Sequence, residues 1–463
     1  MIERLPTGAR GLDEILHQGL PVNAINLILG LPGTGKTLLA HQVVFRNATV
    51  ERPAVYVSTV SEPFEKLIRF GQELSFFDSE AVGRRVFYED VGRDLVEHGL
   101  DGALRRLQQL LDAHEPGVLV IDSFKPLTAF AASASDYRGF VHQLSGRLSV
   151  RPLTTLWLGE YAASELAAAP EFAVADAVIW LTSARQEERE TRLLQVLKLR
   201  GSGYLSGRHA YRLSADGLRV FPRLADPGIA AAYDLSEGSV STGVASLDSV
   251  LGSGYQPGSA TLVAGPSGIG KTVLGLHFVC AGTQAGETSV VATFEENPSQ
   301  LARTAAGFGW SFDRSQVRLM YRSAVDLYVD EWVYDLLELM DSSGAGRVFI
   351  DNVGHLRAAS ADPARFREYI YSLIQRCARR GINLLMSVEI PELFGVSRLN
   401  EVVLSQMVDN VVLLQFVRRD GQYRRAITIT KSRAIRMEPR LREFTITASG
   451  LALVEDAHEH HAR

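Results

Sequence analysis

The sequence of 463 residues predicts an α/β protein made of two tandem domains, each a mostly parallel β-sheet flanked by helices. Two observations lead to this class. Short β-branched or apolar runs alternate with longer amphipathic stretches, which is typical of βαβ units. The same succession of motifs also occurs twice along the chain, which indicates a duplicated domain rather than a short repeat.

The two copies begin at related segments with the pattern Thr-Gly-x-x-x-Leu-Asp. These segments start at Thr7 and at Thr242, 235 residues apart. We therefore predict an N-terminal domain over residues 1–224 and a C-terminal domain over residues 239–463. Residues 225–238 include Pro-Gly and show no clear periodicity, so we predict that they form the linker.

Four buried strands are predicted in each copy from short runs of apolar and β-branched residues. In the first copy they lie near Ala54–Thr59, Val118–Asp122, Thr154–Gly159 and Ala177–Leu181. In the second copy they lie near Ser289–Phe294, Arg347–Asp351, Asn383–Val388 and Asn410–Gln415. The longer stretches between them are predicted to be the helices that cover the sheet.

The composition is that of an ordinary globular protein and limits its partners. Hydrophobic residues make up 46% and charged residues 22%, and the net charge of −5 argues against a protein that coats nucleic acid. No apolar run has the length of a signal peptide or a membrane span, so we predict a cytoplasmic protein without membrane contact. With only two cysteines, a disulfide framework and a four-cysteine zinc site are both excluded.

A glycine-rich loop with the pattern G-x-x-x-x-G-K-[ST] lies between an apolar strand and a helical stretch in each copy. Its backbone N–H groups, the dipole of the following helix and the lysine suit the phosphates of ATP, and its last hydroxyl suits Mg²⁺. The predicted nucleotide-binding residues are Gly30, Gly33, Thr34, Gly35, Lys36, Thr37, Gly265, Ser267, Gly268, Ile269, Gly270, Lys271 and Thr272. Thr37 and Thr272 are also predicted metal ligands. A chance glycine-rich turn is disfavoured because the strand and helix context recurs in both copies.

An aspartate ends a predicted buried strand after each phosphate loop. Asp122 and Asp351 occupy these positions, and we predict that both help to hold Mg²⁺. An aspartate at a strand end is often only a turn or helix cap. The pairing of each aspartate with a phosphate loop favours the metal role.

A carboxylate that orients the attacking water is the next requirement for ATP hydrolysis. Glu295 and Glu296 follow a predicted strand of the second copy, and an alignment without gaps places Ser61 opposite Glu295 and Glu62 opposite Glu296. We therefore predict Glu295, Glu296 and Glu62 as catalytic residues, with a weaker first site if Glu295 is the base. The alternative is that these glutamates are solvated caps of the next helix.

A basic pair occurs late in each copy, as Lys198-Leu199-Arg200 and as Lys431 with Arg433. On a strand, residues two apart emerge on one face, so the pair could clamp phosphate oxygens. The pairs lie far along the chain from the phosphate loops, so the phosphates could belong to a neighbouring subunit. The alternative is that these cations only keep an exposed edge strand soluble, and the spacing does not decide between the two.

With the tandem loops, Thr-Phe-Glu-Glu and Lys-x-Arg, the chain resembles the KaiC family of double-domain RecA-like P-loop ATPases over nearly its whole length. The resemblance implies two stacked rings in a homo-hexamer, with ATP bound between subunits and the residues Lys198, Leu199, Arg200, Lys431 and Arg433 contacting it in trans. It also implies that Phe308 packs against adenine.

Where members of this family in circadian clocks carry an adjacent Ser-Thr pair that is phosphorylated, this chain has Ser405-Gln406, and a further threonine corresponds to Asn400. Ser405 is therefore the predicted phosphosite of a possible serine autokinase, and ATP-driven signalling to an unknown protein partner is a safer expectation than timing. Two other functions stay open. One is a RecA- or RadA-like DNA-dependent ATPase, and the other is a nucleotide-gated scaffold with little turnover.

Overall fold

The computed structural model describes residues 3–59, 64–165, 169–186, 189–224, 237–313, 315–325, 327–360, 362–391, 403–419, 421–433 and 439–454. The chain divides into two compact units, Met1–Arg223 and Leu224–Arg463. The division lies one residue before the predicted end of the first domain. Most of the predicted linker, residues 225–236, is outside the described residues.

The first domain contains one large sheet, a small two-stranded sheet and covering helices. Its strands are β1 Arg4–Leu5, β2 Leu20–Pro21, β3 Ile25–Gly30, β4 Ala54–Ser58, β5 Val86–Asp90, β6 Val118–Asp122, β7 Thr154–Gly159, β8 Ala177–Gln186, β9 Arg189–Leu199, β10 Arg208–Ser214 and β11 Gly217–Phe221. Its helices are α1 Leu12–Ile15, α2 Lys36–Asn47, α3 Phe64–Gly71, α4 Gly92–His114, α5 Ala134–Ser149 and α6 Glu171–Val174.

The second domain repeats this plan. Its strands are β12 Ala260–Gly265, β13 Ser289–Thr293, β14 Val317–Tyr321, β15 Arg347–Asp351, β16 Asn383–Glu389, β17 Asn410–Arg419, β18 Gln422–Ser432, β19 Arg442–Thr447 and β20 Gly450–Leu453. Its helices are α7 Ala245–Val250, α8 Lys271–Gln284, α9 Pro298–Gly307, α10 Val329–Ser343, α11 Val353–Ala359 and α12 Pro363–Arg379.

The two large sheets have nine strands each and the same topology. The orders are β11-β10-β9-β8-β3-β7-β6-β4-β5 and β20-β19-β18-β17-β12-β16-β15-β13-β14. In each sheet six neighbouring strands are parallel, and the three strands at one side pair antiparallel. The predicted fold class, two tandem domains with mostly parallel sheets, is therefore confirmed.

Strands β8 and β17 extend beyond their predicted ends at Leu181 and Gln415. Each continues as one arm of a long antiparallel hairpin, with β9 and with β18. The predicted strands are too short because each prediction ends where the run of apolar residues ends. The hairpin arms carry more polar residues because they extend away from the helices that bury the parallel part.

Helices cover both faces of each sheet, so the central strands are buried on both sides. In β3, Ile28 joins the cluster formed with α2, whereas Leu27 and Leu29 join the cluster formed with α4 and α5. Alternate residues of a strand point to opposite faces, so a strand buried on both sides is apolar throughout. This double burial positions the loops at the carboxyl edge of the sheet, where ligands of such folds bind.

None of the helices in the described part of the chain combines the length and apolar character needed to cross a bilayer.

Candidate nucleotide sites

The two phosphate loops connect β3 to α2 and β12 to α8. In each loop the residue before the lysine, Gly35 or Gly270, has a positive φ of 91° or 116° and caps the helix. A side chain would be strained in this left-handed conformation. The helix N-terminus and the lysine together form a site for an anion.

The loop lysines are buried, and each lies across its own loop. The Lys36 ammonium donates to the carbonyl of Leu31 at 3.1 Å, and the Lys271 ammonium donates to the carbonyls of Gly265 and Pro266 at 3.0 and 2.9 Å. Burial lowers the pKa of both lysines. An anionic phosphate would restore charge balance to these buried ammonium groups.

Two carboxylates beside the lysines were missed in the sequence analysis. Glu160 directly follows β7, and its Oε1 lies 3.7 Å from the Lys36 ammonium. Glu389 ends β16, and its charge raises the pKa of Lys271 against the larger lowering effect of burial. A signal was present, since both glutamates end a buried strand as Asp122 and Asp351 do, but neither has a motif around it.

The strand-end aspartates meet the last residue of each loop. The Thr37 hydroxyl donates to Oδ2 of Asp122 at 3.1 Å, and the Thr272 hydroxyl donates to Oδ2 of Asp351 at 2.6 Å. Burial raises the pKa of Asp351, although hydrogen bonds from Ser387 and Thr272 oppose this effect. A hydroxyl next to a carboxylate is a donor set that a hard cation such as Mg²⁺ prefers, so both sites fit this ion.

The glutamate pair of the second domain lies in two different environments. Oε1 of Glu295 is 2.5 Å from Nε2 of His355, and the Glu295 side chain is 61% exposed. Glu296 is more buried, and burial, followed by the charges of Asp351 and Glu295, raises its pKa. Its Oε2 is buried without a partner among the described residues.

The sheet register corrects the predicted alignment of the two copies at this point. Ser58 pairs with Asp122 in the first sheet, and Thr293 pairs with Asp351 in the second, so Ser58 is the counterpart of Thr293. The backbone N–H of Thr59 donates to Asp122, just as the next residue after Thr293 donates to Asp351.

The alignment without gaps is therefore shifted by one residue within the strands, where it pairs Ser58 with Ala292. Leu67 still matches Leu301, so the first copy has one extra residue between Thr59 and Leu67, and the pairing of Ser61 with Glu295 and of Glu62 with Glu296 stays a prediction. Residues 60–63 lie outside the described residues, and the catalytic role of Glu62 stays a prediction.

Both basic pairs are engaged within their own domain. Lys198 donates to the carbonyl of Phe172 at 2.9 Å, and Lys431 donates to the carbonyls of Ser405 and Val408 at 2.9 and 2.6 Å. Arg200 and Arg433 lie 3.4 Å from the carboxylates of Asp176 and Asp409, and the Leu199 side chain is buried. These contacts differ from both predicted roles, and a contact in trans stays a prediction.

Phe308 and Ser405 are the remaining predicted residues in the described part of the second domain. Phe308 follows α9 directly, and its ring centroid is 5.1 Å from that of Trp310. Ser405 lies in a 3₁₀ turn, Val403–Gln406, and is half-buried. Their predicted roles, adenine packing and phosphate acceptance, stay predictions. Asn400 lies outside the described residues.

A phosphate loop that opens a helix, a loop threonine bonded to a strand-end aspartate, and a parallel sheet of this order define a P-loop ATPase, and the chain contains this unit twice. It belongs to the KaiC family: the family model described as "ATPase: KaiC" matches residues 5–225 and 240–458. The family resemblance seen in the sequence is therefore confirmed.

Several curated relatives are similar to the whole chain. The circadian clock oscillator protein KaiC of Rippkaea orientalis is 26% identical over 480 residues, which cover 100% of this chain and 90% of the relative. The protein of the same description from Thermosynechococcus vestitus is 27% identical, over 97% of this chain and 88% of the relative. The circadian clock protein KaiC3 of Synechocystis sp. is 26% identical, over 97% and 91%.

Proposed function

We propose that the second domain hydrolyses ATP and that the first domain binds ATP with much slower turnover. One observation carries this proposal: two glutamates, Glu295 and Glu296, follow β13, whereas the chain after β4 reads Val60-Ser61-Glu62 and has one. With Glu295 as the base, the sequence of the first domain has Ser61 in its place, so the attacking water there loses the group that orients it. The phosphate loops are alike, so the asymmetry concerns chemistry rather than binding.

In the second domain, the loop N–H groups and Lys271 bind the β- and γ-phosphates. Thr272 and Asp351 would hold Mg²⁺, and the ion would neutralise charge on those phosphates. Glu295 orients a water molecule whose oxygen attacks the γ-phosphorus while the bond to the bridging oxygen of ADP breaks. The proton of that water passes to the carboxylate or to the phosphate product. Glu296, with its raised pKa, is the second candidate for this role.

The proposal includes a cytoplasmic homo-hexamer that transmits its nucleotide state to a protein partner. Membership of the KaiC family supports the assembly. Lys431 and Arg433 would then release the carbonyls and the carboxylate that they now contact and would reach the nucleotide of a neighbour. Because such a contact stabilises charge in the transition state, turnover would depend on assembly.

Replacing the two loop lysines separately tests which domain hydrolyses ATP. We expect Lys271→Ala to remove nearly all ATP turnover, because the γ-phosphate loses its main cation. We expect Lys36→Ala to keep most turnover while bound ATP per chain falls by about half. Steady-state hydrolysis and equilibrium ATP binding would be measured, with native mass recorded on the same samples and the exposed Lys66→Ala as control. Turnover that survives Lys271→Ala but not Lys36→Ala would reverse the assignment.

The autokinase proposal concerns Ser405. Its turn is held by the ammonium of Lys431, one of the two residues proposed to reach the nucleotide of a neighbour, so the serine lies close to that contact. After incubation with ATP and Mg²⁺, we expect mass spectrometry to find phosphate on Ser405 in the unsubstituted protein and none in the Lys271→Ala variant. An unmodified peptide containing Ser405 under both conditions would exclude the autokinase.

A further inference from the structure

One polar contact of the second site belongs to none of the motifs. The imidazole of His355 lies on the first turn of α11, and its Nε2 is 2.5 Å from Oε1 of Glu295. A carboxylate accepts hydrogen bonds, so Nε2 must carry the proton in this contact. The structure therefore joins the proposed water-orienting carboxylate to a histidine 60 residues further along the chain.

Several contacts fix the imidazole in place. Only Asn352 separates Asp351 from the start of helix α11, and its side chain caps the helix by accepting from the N–H of Gly354 at 2.7 Å. Val353 of the same turn is fully buried. The imidazole also lies against the ring of Phe294, with centroids 5.7 Å apart. Since this turn follows the end of β15, the histidine lies only four residues along the chain from the proposed metal ligand Asp351.

The first domain lacks the histidine of this pair. Counting from the equivalent aspartates, Asp122 and Asp351, the counterpart of His355 is Pro126, which has no side-chain donor. The histidine is thus present in the domain whose sequence has two glutamates after the strand and absent from the domain that has only Glu62 there.

A contribution to stability is a poor explanation for this contact. The Glu295 side chain is 61% exposed and that of His355 is 27% exposed, and ion pairs so open to water add little to stability. An exposed carboxylate does, however, rotate freely unless a partner holds it. Restricting that rotation is useful where the orientation of the carboxylate matters.

We propose that His355 is a positioning residue for ATP hydrolysis. Its Nε2–H holds Oε1 of Glu295, and this contact directs the other oxygen of the carboxylate to the attacking water. The proposal rests on the proposed function of the second domain and names a residue that acts through Glu295 rather than on the nucleotide. It predicts an effect on kcat rather than on ATP binding, because the contacts described for His355 are with Glu295 and Phe294, neither of which belongs to the phosphate loop.

The test compares three substitutions of His355 by steady-state ATP hydrolysis. We expect His355→Ala to lower kcat about tenfold, with KM for ATP changed less than about twofold. His355→Phe keeps the aromatic contact with Phe294 but has no donor, so it should be as slow as the alanine variant. His355→Gln places an amide N–H near the position of Nε2 and should recover most of kcat. Arg357→Ala, an exposed residue of the same helix, is the control.

Combination with Glu295→Gln separates failure of this inference from failure of the proposed function. If the positioning role is right, His355→Ala causes no further loss in the Glu295→Gln background. If Glu295→Gln alone leaves turnover unchanged while Glu295→Gln/Glu296→Gln is slow, Glu295 is not the base and the positioning role fails. If the double variant also keeps full turnover, the proposed function fails. If Glu295→Gln is slow but His355→Ala is as fast as the unsubstituted protein, only the positioning role fails. A glutamine variant as slow as the phenylalanine variant would also overturn that role.

Discussion

Glu295→Gln/Glu296→Gln is expected to lower ATP turnover about 10²- to 10⁴-fold, the range that positioned acid–base groups contribute. Glutamine keeps the size of each side chain but cannot accept a proton from water. The phosphate loop and the Asp351–Thr272 contact are unchanged, so ATP affinity should change little. Turnover is measured with saturating ATP, and affinity is measured separately by equilibrium binding.

The single variants decide which glutamate is the base. Glu295 is exposed and held by His355, so we expect Glu295→Gln to account for most of the loss. Glu296→Gln should have a smaller effect, because its carboxylate is partly buried beside Asp351. Equal losses in the two single variants would contradict this assignment. Full turnover in the double variant would contradict the proposal that the second domain hydrolyses ATP.

The phosphate loops and the metal-binding aspartates were predictable because each has a local pattern. The loop needs glycines and a lysine at fixed spacing, and each buried strand that ends in aspartate has a run of apolar residues before it. The structure brings Thr37 to Asp122 and Thr272 to Asp351, as a cation site would require. The fold class followed from the same local patterns and from the duplication.

The rest of the site depends on which strand ends are neighbours. Glu160 reaches Lys36 only because β7 lies beside β3 in the sheet, and His355 reaches Glu295 only because β15 lies beside β13. Neither adjacency is visible in the sequence. The one-residue shift of the alignment within β4 has a similar cause, since it becomes visible only through the pairing of each strand with its neighbour.

The cores of the two domains differ at one buried position. In the first domain, the buried carboxylate of Glu171 accepts hydrogen bonds from Tyr137, at 2.5 Å, and from Tyr161. The equivalent place before the second basic pair is taken by the buried Leu404. A buried carboxylate needs such partners, so this cluster ties α6 to α5 and to the end of β7.

The largest expected effect on stability is that of Trp157→Ala in the first domain. Trp157 lies on β7 between β3 and β6, is fully buried, and stacks on Phe124 with centroids 4.2 Å apart and ring planes within 4°. Removing the indole leaves a cavity and loses the stack, so we expect a loss of about 3–5 kcal/mol in the free energy of unfolding of this domain. Hydrogen exchange of β6 and β7 measures the loss.

Trp157→Phe is the matched control, and its expected result follows from the indole N–H. This group is buried and has no acceptor among the described residues, so phenylalanine removes an unpaired donor as well as volume. The two changes oppose each other, and we expect a cost of only about 1–2 kcal/mol.

The same pair of variants also tests ATP binding. Phe124 lies two residues after Asp122, so loss of the stack also loosens the turn that holds the proposed metal ligand. Trp157→Ala should therefore weaken ATP binding by the first domain, whereas Trp157→Phe should preserve it. Equal exchange protection in the two variants would show that the stack does not support this edge.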